Sequence, residues 1–190
     1  GMKKIIFILG GARSGKSSYA VNLAKSLGKR IVFIATCIPG DSEMEHRIKL
    51  HKKSRPRTWR VIEEGVHIDS VLKRAKTGCD AILIDCMGLF ISNLMMVESS
   101  DKKIESKLRQ VIGQIEKMAS GVIVVSNEVG MGIVPDNLLA RRFRDLLGRV
   151  NQMIAQSADK VIMMNAGIPM MIKGEYDATA TRYNAKDKRT

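Results

Sequence analysis

The stretch "GGARSGKS", residues 10–17, directly follows a run of apolar residues. It fits the pattern G-x-x-x-x-G-K-[ST] at every fixed position, and a helical pattern comes after it, which is the context that a phosphate-binding loop requires. Gly10 and Gly15 allow backbone conformations that a Cβ would hinder, so the N–H groups of the loop can converge on phosphates at the start of the next helix. The stretch predicts a P-loop in which Lys16 reaches the β and γ phosphates and Ser17 offers its hydroxyl to Mg²⁺.

Short apolar runs alternate with helical patterns along the rest of the chain. The runs are nearly continuous, which is typical of parallel strands that are covered on both faces. Strands are predicted at 4–9, 30–35, 81–85, 121–126 and 160–164, with "TWRVIE" (58–63) as an extra strand at an edge. Helices are predicted at about 16–27, 43–53, 67–76, 88–97, 101–119 and 136–157. This order predicts an α/β fold of three layers with a mostly parallel central sheet.

The composition indicates what class of partner the protein binds and in which compartment it works. A formal net charge of +13 in 190 residues implies an anionic partner, which is a nucleotide, a nucleic acid or a membrane surface. No apolar run approaches the roughly 20 residues that cross a bilayer, so no membrane span is expected. The three cysteines, Cys37, Cys79 and Cys86, are scattered and show no CxxC spacing. This favours reduced thiols in the cytoplasm over a disulfide framework or a zinc site. One catalytic domain is predicted over 1–173, followed by a polar tail at 174–190.

Two further stretches follow predicted strands and place polar side chains at their ends. Asp85 ends "AILID", where a Walker B carboxylate would hold Mg²⁺, although aspartate also ends strands as a turn former. "NEVGMGIVP" (127–135) begins with Asn127 and Glu128, which are candidates for holding substrate or metal, or belong to a turn that only positions a helix. Ligands bind at the carboxyl ends of the strands in open α/β sheets, so one shared site is expected there.

A helix that carries a histidine is predicted within residues 41–60. Ser42 and Glu45 match a capping box at its start, and Pro56 should end it. His51 lies on the apolar stripe of this helix. Seven basic residues surround it in the sequence, namely Arg47, Lys49, Lys52, Lys53, Arg55, Arg57 and Arg60.

Those cations give His51 a possible chemical role. They disfavour the protonated imidazole, so the side chain is expected to be neutral near pH 7. A neutral imidazole is a nucleophile, and neighbouring cations would stabilise charge on a phosphate under attack. The cluster therefore suits a histidine that accepts a nucleotidyl or phosphoryl group. Two alternatives stay open: a solvated basic face with an incidental histidine, and a nucleic-acid surface, which the aromatic content of 4% disfavours.

Five stretches together resemble one family. They are "GGARSGKS", "IAT" (34–36), "EMEHRIKLHKKSRPRTW" (43–59), "ILIDC" (82–86) and "NEVGMGIVP". Their order and spacing are similar to those of the bifunctional adenosylcobinamide kinase / adenosylcobinamide-phosphate guanylyltransferase family, and the resemblance runs from about residue 4 to 173. It implies a RecA-like P-loop NTPase that forms homotrimers. It also implies an enzyme of cobalamin biosynthesis that phosphorylates the corrinoid adenosylcobinamide with ATP or GTP and then transfers GMP from GTP to that phosphate.

The resemblance also implies roles for individual residues. The guanylyl transfer passes through a GMP–histidine intermediate, for which the matching residue is His51, and Lys16 is the second catalytic residue. Mg²⁺ would be held by Ser17 and Asp85, and Glu63 sits where a carboxylate could accept the N–H donors of guanine. The implied nucleotide contacts are Gly10, Gly11, Ala12, Arg13, Ser14, Gly15, Lys16, Ser17, Ala35, Thr36, Cys37, Lys52, Lys53, Ser54, Arg55, Glu63 and Asp85. A RecA-like ATPase that acts on nucleic acid and a small-metabolite kinase without guanylyl transfer are the alternative functions.

Overall fold

The computed structural model describes residues 4–38, 56–75 and 77–175. Its strands are β1 (Ile5–Gly10), β2 (Ile31–Ala35), β3 (Arg60–Glu63), β4 (Ala81–Asp85), β5 (Gly121–Asn127), β6 (Lys160–Asn165) and β7 (Ile168–Lys173). Its helices are α1 (Lys16–Leu27), α2 (Ile68–Arg74), α3 (Met87–Val97), α4 (Asp101–Ile115) and α5 (Leu138–Ser157). The helix predicted at 43–53 lies outside the described residues.

The strands form one seven-stranded sheet in the order β3-β2-β4-β5-β1-β6-β7. All neighbouring pairs from β3 to β6 are parallel, and β7 pairs antiparallel with β6. β3 lies at an edge, which confirms the placement predicted for "TWRVIE". β5 lies between β1 and β4, so the strand that leads into the glycine-rich loop and the strand that ends at Asp85 are not neighbours.

Alternation along the strands creates two hydrophobic cores, one on each face of the sheet. Phe7 faces a core that is completed by α2, α3, α4 and α5. Ile6 and Ile8 face the other core, which α1 completes. Because apolar side chains point to both sides, the central strands read as continuous apolar runs in the sequence. The three layers confirm the predicted α/β class. Among the described residues, no helix is both long and apolar enough to cross a membrane.

β7 is the element that the sequence reading missed. It follows β6 through a two-residue turn, in which Ala166 and Gly167 both have positive φ angles of 49° and 81°. Such a turn matches the twist of a β-hairpin, but the sequence offers only one glycine to signal it. Pro169 is compatible with β7 because an edge strand tolerates proline.

α4 ends earlier than the predicted 119. The helix ends at Ile115, and its last regular hydrogen bond runs from the N–H of Glu116 to the Ile112 carbonyl. The chain then makes tighter turns, in which the N–H of Lys117 donates to the Gln114 carbonyl and that of Met118 donates to the Ile115 carbonyl. The Met118 side chain is nevertheless buried. The apolar pattern therefore continues past the helix end, which explains why the prediction ran too long.

Candidate active site

The glycine-rich loop connects the end of β1 to the start of α1. A Cβ at Gly10 would contact Ser14 Oγ and would lie 2.8 Å from the Met164 carbonyl oxygen, so the close approach needs glycine. Gly15 is the N-cap of α1 and has a φ of 87°, a left-handed conformation that favours glycine. Close contacts therefore explain why Gly10 is a glycine, and a left-handed backbone conformation explains why Gly15 is one.

Lys16 and Ser17 lie on the first turn of α1, immediately beyond that loop. The Lys16 ammonium donates to the Gly11 carbonyl at 2.9 Å and so lies folded across the loop. Ala12 and Arg13 are exposed at the loop tip, whereas Ser14 is buried. The Ser14 hydroxyl has no hydrogen-bond partner within the described part of the chain.

A contact from the far end of the sequence supports the loop. The N–H of Gly167, in the turn between β6 and β7, donates to the Ser14 carbonyl at 3.1 Å. Gly15 and Gly167 approach so closely that a Cβ on Gly15 would lie 3.3 Å from the Gly167 Cα. Sequence reasoning missed this support because the hairpin turn itself was not predicted.

The strand ends bring the other predicted residues to the same edge of the sheet. Ala35 pairs with both Glu63 and Asp85, and Gly10 pairs with Asn127. The carboxyl ends of the parallel strands therefore meet at one edge. The sequence predicted this for the strands that lead into Gly10, Thr36, Asp85 and Asn127, and the end of β3 joins them. Two strand spacings, or about 10 Å, separate β1 from β4.

Lys16 and Asp85 both influence the buried thiol of Cys86. Burial raises the pKa of the Cys86 thiol to about 12, and the Asp85 carboxylate acts in the same direction while the Lys16 ammonium opposes it. Both charges are thus close enough to influence one sulfur atom.

The remaining predicted residues differ in their surroundings. Thr36 is buried, Cys37 is half-buried, and Glu63 is exposed at the end of the edge strand β3. His51 and Lys52, Lys53, Ser54 and Arg55 lie outside the described residues, so their predicted roles stay predictions.

The stretch "NEVGMGIVP" is held in place by side chains from α5. Asn151 accepts a hydrogen bond from Ser126 Oγ at 2.7 Å and donates to the Asn127 carbonyl at 3.0 Å. The N–H of Glu128 donates to the Gly10 carbonyl at 3.0 Å, which joins this stretch to the end of β1. Its start is therefore fixed relative to the glycine-rich loop.

Farther along, two arginines of α5 bind the backbone of the same stretch. Arg144 donates to the Gly130 carbonyl at 3.1 Å, and Arg141 donates to the Pro135 carbonyl at 2.8 Å. Despite this fixed backbone, the side chains of Met131 and Ile133 are 82% and 97% exposed. The stretch is an ordered surface with apolar side chains directed outward.

A glycine-rich loop between β1 and α1, with a carboxylate at the end of another parallel strand, defines a P-loop nucleotide-binding protein. The family model described as cobinamide kinase / cobinamide phosphate guanyltransferase matches residues 6–172. The chain belongs to this family, and it is a bifunctional enzyme with kinase and guanylyltransferase activities. The resemblance seen in the sequence is thereby confirmed.

Three curated relatives match most of the chain. The bifunctional adenosylcobalamin biosynthesis protein CobU of Salmonella typhimurium strain LT2 is 38% identical over 181 residues, which cover 89% of this chain and 99% of that protein. CobP of Pseudomonas aeruginosa, which has the same description, is 37% identical over 168 residues, 88% of this chain and 96% of that protein. CobU of Escherichia coli K12 is 35% identical over 181 residues, 89% of this chain and 99% of that protein.

Proposed function

We propose that the protein phosphorylates adenosylcobinamide with ATP or GTP and then transfers GMP from GTP to the new phosphate, as a step of cobalamin biosynthesis. Membership of the cobinamide kinase / guanyltransferase family carries this proposal. The glycine-rich loop supports it, because the loop between β1 and the N-terminus of α1 offers a nucleoside triphosphate a ready anion-binding site.

In the kinase step, the loop holds the triphosphate through its backbone N–H groups and the N-terminus of α1. Lys16 exchanges its bond to the Gly11 carbonyl for oxygens of the β and γ phosphates. The corrinoid hydroxyl attacks the γ phosphorus, its proton is released, and the bond to the β–γ bridging oxygen breaks. The nucleoside diphosphate leaves with that electron pair.

Mg²⁺ fits the oxygen donors at this edge of the sheet. Mg²⁺ is commonly held by one or two protein oxygens together with substrate phosphates. The Ser17 hydroxyl on the first turn of α1 and the Asp85 carboxylate at the end of β4 are donors of that kind. Bound there, Mg²⁺ would neutralise phosphate charge as the leaving group departs.

In the guanylyl transfer, His51 acts as the nucleophile. Its nitrogen attacks the α phosphorus of GTP, and pyrophosphate leaves as a P–N bond forms. A phosphate oxygen of the corrinoid then attacks the same phosphorus, and the P–N bond breaks. Sequence resemblance supports this step, together with the basic residues that flank His51 in the sequence.

Glu63 is proposed to select guanine. Its backbone is in register with Ala35 at the edge of the sheet where the other site residues meet, and its side chain is exposed. A carboxylate there can accept the two parallel N–H donors of guanine, which adenine does not offer in the same arrangement. GTP would then be preferred in the transfer step.

The protein is also proposed to form homotrimers in the cytoplasm, with 1–173 as one catalytic domain and 174–190 as a polar tail. Exposed apolar side chains support the oligomer, because fixed apolar surfaces of this kind commonly mark protein contacts. The most exposed of them near the site are Met131, Ile133 and Val134 in the fixed stretch and Leu138 and Leu139 at the start of α5. The three free cysteines fit a reducing compartment.

Product analysis tests the proposed function. Purified protein is incubated with adenosylcobinamide, Mg²⁺ and either ATP alone or ATP with GTP. The corrinoid products are then identified by mass spectrometry. The expected products are the corrinoid phosphate with ATP alone and the corrinoid–GDP derivative when GTP is added. Unchanged adenosylcobinamide under both conditions would contradict the proposal.

A further inference from the structure

Thr36 follows the last residue of β2 and bonds to the backbone at the end of β4. Its hydroxyl donates to the Cys86 carbonyl at 2.7 Å and accepts from the Cys86 N–H at 2.8 Å. Its own N–H donates to the Asp85 carbonyl at 3.2 Å. The side chain is fully buried, and its hydroxyl is engaged by the backbone of Cys86.

These bonds continue the connection between β2 and β4 beyond the point where strand pairing ends. Ala35 and Asp85 form the last pair of the β2–β4 ladder. Beyond that pair, Thr36 binds both polar groups of the Asp85–Cys86 peptide, its carbonyl and its N–H. The direction in which the Asp85 side chain leaves the backbone therefore depends on Thr36.

Asn93 of α3 holds Thr36 from the other side. Its amide nitrogen donates to the Thr36 carbonyl at 2.8 Å and to the Gly65 carbonyl at 3.1 Å. A Cβ on Gly65 would lie 2.6 Å from that nitrogen, so the absence of a side chain there permits the contact. Thr36 is thus fixed between β4 and the segment that follows β3.

We propose that Thr36 is a positioning residue for Asp85, and that it acts through the Asp85–Cys86 backbone without contacting the nucleotide. The proposal rests on the proposed function, in which Asp85 serves the Mg²⁺–nucleotide complex. Loss of the hydroxyl displaces the carboxylate and leaves the glycine-rich loop intact. The affected quantities are the turnover number and the Mg²⁺ requirement, and the KM for nucleotide changes little.

The test compares Thr36→Val, which keeps the shape and removes the hydroxyl, with Thr36→Ser, which keeps the hydroxyl. Corrinoid phosphorylation is measured while GTP and Mg²⁺ are varied separately. Thr36→Val is expected to lower kcat about tenfold or more, because a displaced Asp85 would stabilise the transferring phosphate less well. The KM for GTP at saturating Mg²⁺ is expected to stay within about twofold, because the glycine-rich loop still binds the phosphates. It is also expected to need more Mg²⁺, and Thr36→Ser to recover most of the activity. A raised KM with unchanged kcat, or no change in either, would overturn the proposal.

A binding measurement separates this proposal from the proposed function. The affinity of a fluorescent GTP analogue is titrated at several Mg²⁺ concentrations, with no corrinoid present. A wild-type protein without corrinoid activity would contradict the proposed function, yet a shifted Mg²⁺ dependence in Thr36→Val would still support the role of Thr36. If Thr36→Val does not fold, Asn93→Ala provides the same readout, since it releases Thr36 from α3. An unchanged Mg²⁺ dependence in a folded Asn93→Ala would then overturn the role of Thr36.

Discussion

The Lys16 ammonium and the Cys86 thiol show how single residues in this site are set by their surroundings. Lys16 bonds to the Gly11 carbonyl at 2.9 Å, and phosphate oxygens are stronger acceptors that can replace this neutral one. Cys86 is buried beside Asp85 and holds its proton. The Lys16 side chain can therefore bind a phosphate, whereas the Cys86 thiol stays protonated and unreactive.

Replacing Lys16 by Ala should remove activity without harming the fold. The ammonium makes one partly buried hydrogen bond, whereas a positioned donor to a transferring phosphate contributes about a hundredfold to a thousandfold in rate. We expect a loss of that size in corrinoid phosphorylation, measured under steady-state conditions. Lys25→Ala, on the last turn of the same helix, is the control and should behave as wild type. Equal activity in the two variants would contradict the role of Lys16.

The Cys86 thiol should resist alkylation in the folded protein. Burial raises its pKa to about 12, so almost none of the reactive thiolate is present at pH 8. Iodoacetamide treatment followed by peptide mass spectrometry should find Cys86 unmodified in buffer and modified in concentrated guanidinium chloride. Modification at the same rate in both would show that the thiol is not enclosed as described.

At the scale of elements, two turns tie distant parts of the chain together. The β6–β7 turn supports the glycine-rich loop through Gly167. At the other end of the sheet, Asp80 before β4 accepts hydrogen bonds from the N–H groups of Lys29 and Arg30 before β2, at 3.0 and 2.9 Å. Each turn therefore positions an element that is remote in sequence.

Gly167→Ala should destabilise the protein and weaken nucleotide binding. Its φ of 81° is left-handed, which costs a residue with a Cβ about 1–2 kcal/mol, and the strain falls on the N–H that binds the Ser14 carbonyl. Ala166→Gly in the same turn is the control and should be neutral or stabilising. Urea unfolding and titration with a fluorescent GTP analogue measure both effects. A Gly167→Ala protein as stable as wild type would refute the role of this turn.

Asp80 should make stability depend on pH in the acid range. Hydrogen bonds from the Arg30 side chain and backbone lower its pKa from 3.8 to about 2. A carboxyl group with a lowered pKa stabilises the fold above its unfolded value, and this contribution is lost as the pH falls through the folded value. The difference in the free energy of unfolding between wild type and Asp80→Asn should be constant above about pH 5 and shrink between pH 4 and 2. A difference that stays constant down to pH 2 would contradict this.

At the scale of the whole molecule, the fold gathers the carboxyl ends of its parallel strands beside a surface of exposed apolar side chains. The backbone of that surface is fixed by Arg141 and Arg144. A fixed apolar surface beside the site suits a contact between subunits.

Ile133→Asp should break the proposed oligomer. Ile133 is 97% exposed in the isolated chain, so a charge there costs little within one subunit but would be buried without a partner in an interface. Size-exclusion chromatography with light scattering should show a trimer for wild type and a smaller species for the variant. Lys25→Gln, which changes the net charge by the same amount, should remain trimeric. A wild-type monomer would contradict the proposed assembly.

Local patterns made most of the fold and the glycine-rich loop predictable. The apolar runs of the central strands and the spacing from Gly10 to Ser17 are readable within a few residues of sequence. The bonds of Thr36 to Cys86 and of Gly167 to Ser14 were not predictable, because they join residues about 50 and 150 positions apart. Nothing in the local sequence distinguishes a buried, bonded threonine from one that faces a ligand.

The most direct test of the central claim is whether GTP labelled on its α phosphate leaves covalent label on the protein. The label should be acid-labile and stable to base, as a phosphorus–nitrogen bond would be. It is predicted to appear on wild type and on His46→Ala, in which a histidine of the same segment is removed, and to be absent from His51→Ala. Label that persists in His51→Ala, or wild-type protein that takes up no label, would contradict guanylyl transfer through His51.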